Sequence, residues 1–410
     1  MSLGLAVANL GRVAWNQTAR QWRHWRQRLL RRWKHARETG KSARATARAS
    51  AAKARDARTQ AYAGSVRTMR YWARVRQQTV PRIRRELAVR RELRRVAAGS
   101  GPILVGPWLS EVGYEVLYWV PFLRWFSDRY GVDRSRLVVI SRGGVASWYD
   151  ELAAGYVELL DLYGPEEFAR RNAERQRAGE QKQHGLAAFD AEILDTVRRR
   201  PGLAGAAVCH PSLMFRLLRQ FWLGNDSVAY VQEHTRIVRT APEYEGPRPP
   251  LPARYTAVKL YSGGAIPDTG EHRRALRALV EAAAAQMPVV VLDTGLALDD
   301  HADYLFRDVA NVTTLDGWMT PQNNLGLQTA VVQGAARFLS TCGGLAWLAP
   351  LMGVETVAVY ADDALLTPHL YVAQLAFRAA GAAAFVPLHL GHAGLAAPAP
   401  VAPAVGESSA

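Results

Sequence analysis

Two carboxylates and three glycine pairs are the residues of this sequence whose types and spacing could do chemistry. Glu111 and Glu115, in "GPWLSEVGYEVLYWVPFLRW" (106–125), stand four apart just after a short apolar run. Four residues is one helical turn, which predicts both acids on one helix face near the end of a strand. Tyr118, Trp119, Phe122 and Trp125 follow on that helix, and apolar surroundings raise a carboxylate toward the pKa of a useful general base. Each acid also has a plainer reading: Glu111 as a first-turn charge complementing the helix dipole, and Glu115 as a half-exposed residue of the polar face.

The glycines suit a different task. "RFLSTCGGLAWLAPLMGVETVAVY" (337–360) sets Gly343 and Gly344 between an apolar strand and an apolar helix. The first amides of such a helix lack internal partners, and a side-chain-free backbone lets a phosphate approach them. Thr341, Gly343 and Gly344 are therefore candidates to hold a diphosphate, with a plain tight turn as the alternative. "KLYSGGAIPDT" (259–269) follows another strand and offers Lys259, Ser262, Gly263 and Gly264, a small-residue loop with a cation suited to the same anion. Lys259 alternatively reads as an outward strand residue. Neither GxxxxGK[ST] nor GxGxxG occurs, which counts against kinase and dinucleotide chemistry. In "SRGGVASWYD" (141–150), Arg142, Trp148 and Tyr149 accompany the third glycine pair. At a cleft rim they would suit a sugar or sugar-phosphate acceptor; they equally suit packing. His210 ends a further strand as a cleft or loop histidine, and no Asp-x-Asp follows a strand where a metal-bound diphosphate would need one.

These residues need a scaffold that brings strand ends together. From Gly101 short apolar runs alternate with helical stretches: "PILVG" (102–106), "RLVVIS" (136–141) and "AAVCH" (206–210) read as strands, with a polar, helical stretch over 150–200. Five prolines in "APEYEGPRPPLPA" (241–253) read as a linker. The alternation then restarts with "YTAVKLY" (255–261), a helix from Glu271, "PVVVLD" (288–293), a helix over 322–335, "RFLS" and "TVAVY". Such alternation predicts an α/β protein with parallel sheets covered on both faces. The reading is two Rossmann-like doubly wound domains facing a cleft, at residues 101–240 and 254–390, with the linker at 241–253 and a disordered Ala/Pro tail at 391–410. Ligands of open α/β sheets sit at the carboxyl ends of the strands.

Charge divides the chain differently. Residues 1–100 hold 26 Lys and Arg against 4 Asp and Glu, whereas the whole 410-residue chain has a net charge of +16. A basic, helical extension over 1–100 thus precedes a mildly acidic body. Trp22, Trp25, Leu29 and Trp33 recur at helical spacing among arginines, and Tyr71, Trp72 and Val75 repeat the theme. A solvated extension, an anionic membrane surface and, less readily, nucleic acid all fit. Two cysteines, Cys209 and Cys342, make neither a disulfide framework nor a metal cluster. A reduced, cytoplasmic setting is expected, with peripheral attachment to the inner face of the plasma membrane as the arm's role.

The pattern resembles glycosyltransferases of the GT-B fold, the metal-independent inverting kind, and is nearest to the bacterial heptosyltransferase-like and fucosyltransferase-like groups that build surface polysaccharides. Glu115 and Pro121 share the spacing of the catalytic acid and following proline in the heptosyltransferases, and residues 338–360 are similar to their donor-gripping strand, turn, helix and strand. The chain departs from that pattern in having Tyr114 between Gly113 and its acid, in having Glu in place of Asp, and in Thr341-Cys342-Gly343-Gly344 where those enzymes have Asp-Ser-Gly. The resemblance implies a nucleotide-sugar as co-substrate, no metal, and a polysaccharide or lipid-linked acceptor. Glu115 or Glu111 would be the base, and Lys259 with the two donor-side glycine loops would hold the leaving diphosphate. A polysaccharide pyruvyl-type transferase, or a non-catalytic basic protein on a degenerate GT-B body, is the alternative.

Overall fold

The computed structural model describes residues 82–392, apart from 181, 294–300 and 316, together with isolated positions 53, 55 and 69. The Trp-Arg runs at 22–33 and 71–76 and the tail beyond 392 lie outside the described residues. The described residues from Ile83 onward form one compact unit.

That unit begins earlier than the charge pattern suggests. Helix α1 (residues 82–98) buries Val89, Leu93 and Val96 in the main apolar core, with Leu93 wholly inaccessible. These three recur at i, i+4 and i+7, a buried stripe that the surrounding arginines mask in composition. The basic extension drawn to residue 100 therefore overruns the start of the folded body.

The first half carries β1 (Ile103–Val105), β2 (Leu137–Ser141), β3 (Gly155–Glu158) and β4 (Ala207–Cys209), all parallel in the order β3-β2-β1-β4. After β1 comes α2, built of Val112–Tyr114, a π turn over Glu115–Trp119 and Val120–Tyr130. Helices α3 (Pro165–Arg177), α4 (Ala188–Arg198), α5 (Ser212–Trp222) and α6 (Val228–Glu233) complete it. Alternate residues of β1 enter different cores. Ile103 and Val105 pack with α1, α2 and α5, and Leu104 packs with Phe168 of α3 and Ile193 of α4. Both faces of this sheet are therefore covered, which is why its strands read as unbroken apolar runs.

The second half holds β5 (Thr256–Lys259), β7 (Val289–Val291), β9 (Val312–Thr314), β10 (Arg337–Thr341), β11 (Glu355–Tyr360) and β12 (Phe385–His389), parallel in the order β12-β11-β10-β5-β7-β9. Two short strands, β6 (Tyr261–Ser262) and β8 (Ala302–Asp303), pair antiparallel beside it. Its helices are α7 (Gly270–Ala284), α8 (Asn324–Gln333), α9 (Leu345–Leu348) and α10 (Asp363–Ala380). Asp362 caps α10, its carboxylate accepting from the Leu365 amide at 2.9 Å.

The α/β fold class and two doubly covered parallel sheets are thus as expected. The halves are less separate than the proline stretch implies. Residues 241–253 have no regular structure, yet one apolar core contains Val105, Trp119 and Phe215 of the first half and Leu327, Phe338 and Trp347 of the second.

Candidate active site between the two sheets

Strand ends from both sheets surround a cavity of about 660 Å³. The first half contributes Ser110, Glu111, Gly113, Tyr114, Arg142, Asn172 and Lys182. The second contributes Lys259, Tyr261, Gly264, Asp303, Cys342, Gly343, Gly344 and His369. The two walls meet where Gly113 approaches Gly344, and a Cβ on Gly113 would lie 3.2 Å from the Gly344 nitrogen.

The two candidate acids part company. Glu111 sits in extended conformation (φ −66°, ψ 143°) at the residue preceding α2, and its side chain makes no capping bond. It reaches the cavity, where its Oε2 lies 2.9 Å from Lys182 Nζ. The dipole-complementing reading of Glu111 thus does not account for where the side chain goes. Glu115 opens the π turn and has no accessible surface. Its Oε1 accepts from Ser141 Oγ and from Tyr149 OH, both at 2.6 Å, while Oε2 is without a hydrogen bond. Burial, partly opposed by those two bonds and by Arg142, pushes its carboxyl up to about 7. The pKa has moved as an apolar setting demands, but Glu115 has no face on the cavity and cannot reach a substrate. Its reading as the base, or as a half-exposed surface residue, is corrected accordingly. The physical reason is the π turn, which widens the helix at Glu115–Trp119 and turns all five residues inward.

For Trp148 and Tyr149 the structure takes the packing alternative over the acceptor rim. Both are buried; Trp148 Nε1 donates to Thr329 Oγ1 of α8 at 3.0 Å, and Tyr149 serves Glu115. They join the two halves and support the buried acid rather than forming an acceptor rim. Arg142 does line the cavity, nearly buried, with Nη1 donating to the Ser110 carbonyl at 3.2 Å. The glycine pair beside it, Gly143–Gly144, has its amides occupied by the chain's own Glu158, at 3.0 and 2.8 Å.

On the opposite wall Gly343 (φ 142°) and Gly344 (φ 44°) both adopt backbone that disfavours a side chain. Both line the cavity, so the pair is a tight turn and a bare surface at once. The helix behind it, α9, is only four residues long, so exposed amides rather than a long helix dipole are what this turn offers. Thr341 lies beneath, buried, with Oγ1 accepting from the Tyr261 amide and donating to its carbonyl. It locks the two loops together and does not itself reach the cavity. Lys259 lines the cavity with its Nζ 2.6 Å from Asp303 Oδ2 and 3.0 Å from the Leu292 carbonyl. Of the loop that follows, Gly264 faces the cavity, whereas Ser262 and Gly263 turn toward Ala302 and His301. His210 is elsewhere: it is buried, its Nδ1 accepting from the Ser212 amide at 3.1 Å.

Four cavity residues carried no sequence signal. Lys182 comes from the irregular stretch after α3 and stands 3.4 Å over the Tyr114 ring. Its neighbour Gln183 is buried and bonded to Leu109, Pro107 and Asp190, which pins this stretch to the loop bearing Glu111. His369 of α10 crosses to the first half, with Nδ1 2.7 Å from Tyr118 OH and Nε2 3.4 Å from Tyr114 OH. Burial, reinforced by Lys182, pushes its imidazole down to about 4. It is therefore neutral at neutral pH, with one nitrogen donating and one accepting. Asp303 and Tyr261 complete the set, the Tyr261 ring lying tilted against His301 with centroids 4.5 Å apart. Among the described residues no group of three His, Cys, Asp or Glu could hold a metal ion, and no helix is long and apolar enough to cross a membrane.

No family model matches the chain, nor does any curated protein. Solved structures similar to it include the iron-containing dodecameric glycosyltransferase TibC from enterotoxigenic E. coli H10407, at 12% identity over 63% of this chain and 58% of that one, with a TM-score of 0.37. The E. coli heptosyltransferase WaaC with ADP is 13% identical over 70% of this chain and 93% of that one, TM-score 0.39. A family 9 glycosyl transferase from Veillonella parvula is 10% identical over 71% and 86%, TM-score 0.36. The match thus spans under two thirds of TibC and most of the other two.

Proposed function

We propose that the protein is an inverting, metal-independent glycosyltransferase that moves a sugar from a nucleotide-sugar to a hydroxyl of a polysaccharide or lipid-linked acceptor. The observation that carries this reading is the division of labour across the cavity. A carboxylate, Glu111, stands on one wall, with Lys259 and the bare Gly343–Gly344 turn on the other. Direct displacement at an anomeric carbon needs such an arrangement: a base to take the acceptor's proton, and fixed donors for the charge that develops on the leaving diphosphate.

In this mechanism Glu111 accepts the hydroxyl proton as the acceptor oxygen attacks. The sugar–phosphate bond breaks, and its electron pair leaves on the nucleoside diphosphate, which Lys259 and the turn amides stabilise. Lys182 balances the Glu111 charge in the resting site, and Arg142 and Asn172 offer donors to the acceptor. The basic segment before residue 82 would hold the enzyme against an anionic membrane carrying a lipid-linked acceptor.

The test is release of nucleoside diphosphate from a panel of sugar nucleotides, with EDTA present, by wild type and Glu111→Gln. Wild type is expected to turn over one donor, and Glu111→Gln to lose about 10²- to 10⁴-fold in kcat while still binding nucleotide. Full activity in Glu111→Gln, or turnover that EDTA abolishes, would overturn the reading.

A further inference from the structure

The second-half wall contains an anion of its own. Lys259 ends β5, and its ammonium has three N–H donors. One is placed on Asp303 Oδ2 at 2.6 Å and one on the Leu292 carbonyl at 3.0 Å. Among the described residues these are its two partners, which leaves the third for a ligand in the cavity that Lys259 lines. Both side chains of the ion pair are largely enclosed, at 15% and 19% exposure, so their attraction is weakly screened.

Asp303 is also fixed in place. It lies on β8, paired with β6 so that Asp303 faces Tyr261, and the next residue, Tyr304, donates its amide to the Leu260 carbonyl at 2.9 Å and its hydroxyl to Asp268 at 2.9 Å. A ligand anion therefore meets a cation already paired with a carboxylate whose backbone is held in the β6–β8 pair.

We infer that Asp303 is a built-in competitor anion, which weakens the hold of Lys259 on the nucleoside diphosphate and so favours its release. This rests on reading that wall as the diphosphate site. The chemistry gives Asp303 a preference between substrate and product. In a nucleotide-sugar the terminal phosphate is esterified; once the sugar has gone, that phosphate carries additional negative charge. A lone lysine would hold the product more tightly than the substrate, and a neighbouring carboxylate offsets that difference.

The experiment is calorimetric titration of the full chain with inorganic pyrophosphate, for wild type, Asp303→Asn, Asp303→Glu and Lys259→Ala. Asp303→Asn keeps the shape and removes the charge, and is expected to tighten pyrophosphate binding about tenfold, the scale of one like charge removed from beside the site. Asp303→Glu is expected to stay within about twofold of wild type, and Lys259→Ala to lose binding. Asp303→Ser gives the same reading as Asp303→Asn should the amide variant fold poorly. Unchanged or weaker binding in the neutral variants, with Lys259→Ala still inactive in binding, would sink the competitor role and leave the site reading standing. If no variant binds pyrophosphate through Lys259, the diphosphate reading of this wall goes as well.

Discussion

Glu111 and Glu115 show how much local backbone decides at the scale of the residue. Four positions apart, they differ in whether they see solvent, because one precedes the helix in extended conformation and the other opens a π turn. The presence of an acid in apolar company was legible; which of the two faced outward was not, since a π turn has no sequence signature of its own. Glu115 is useful as a probe. Its carboxyl is pushed up to about 7 in the fold from an ordinary 4.5, so the folded state binds its proton more tightly than the unfolded chain does. That contribution to stability is fully present below pH 4.5 and lost as pH rises toward 7, on the order of 3 kcal/mol in all. Glu115→Gln imitates the protonated acid. Thermal melts should therefore place the variant above wild type at pH 8 and close to it at pH 5; a gap independent of pH would show that Glu115 does not titrate in this range.

At the scale of elements, the parallel strands were readable as unbroken apolar runs because both faces of each sheet are covered. The β6–β8 pair is only two residues on each side, too short to leave a pattern that would mark Asp303. The glycine pairs were visible, yet their fates differ for reasons outside their own sequence. Gly343–Gly344 faces the cavity, whereas Gly143–Gly144 is filled by Glu158, which lies fifteen residues beyond Gly143. The Gly143 carbonyl accepts from the Leu325 and Gly326 amides at the start of α8, so that turn is a joint between the halves. A Cβ on Gly326 would collide with the Gly144 carbonyl oxygen, and one on Gly144 would come 2.7 Å from the Gln322 oxygen. Gly326→Ala should cost about 1–3 kcal/mol through this overpacking, measured by denaturant unfolding. A neutral result would mean that the joint yields without loss.

For the whole molecule, two α/β halves with parallel sheets are readable from the sequence. The closeness of the halves is not, because the residues that bridge them are drawn from far apart. Trp148 bonds to Thr329, and His369 bonds to Tyr114 and Tyr118. Pairs separated by more than 150 residues leave no spacing to read. On the proposed function, this cleft binds a nucleoside diphosphate against the second-half wall without a metal. The most direct test is thermal shift of the full chain against UDP, GDP, ADP and CMP, with and without EDTA, for wild type, Lys259→Ala and Gly343→Val. Stabilisation by one nucleotide is expected, unchanged by EDTA and lost in both variants. No shift with any nucleotide, or a shift that survives both substitutions, would contradict it.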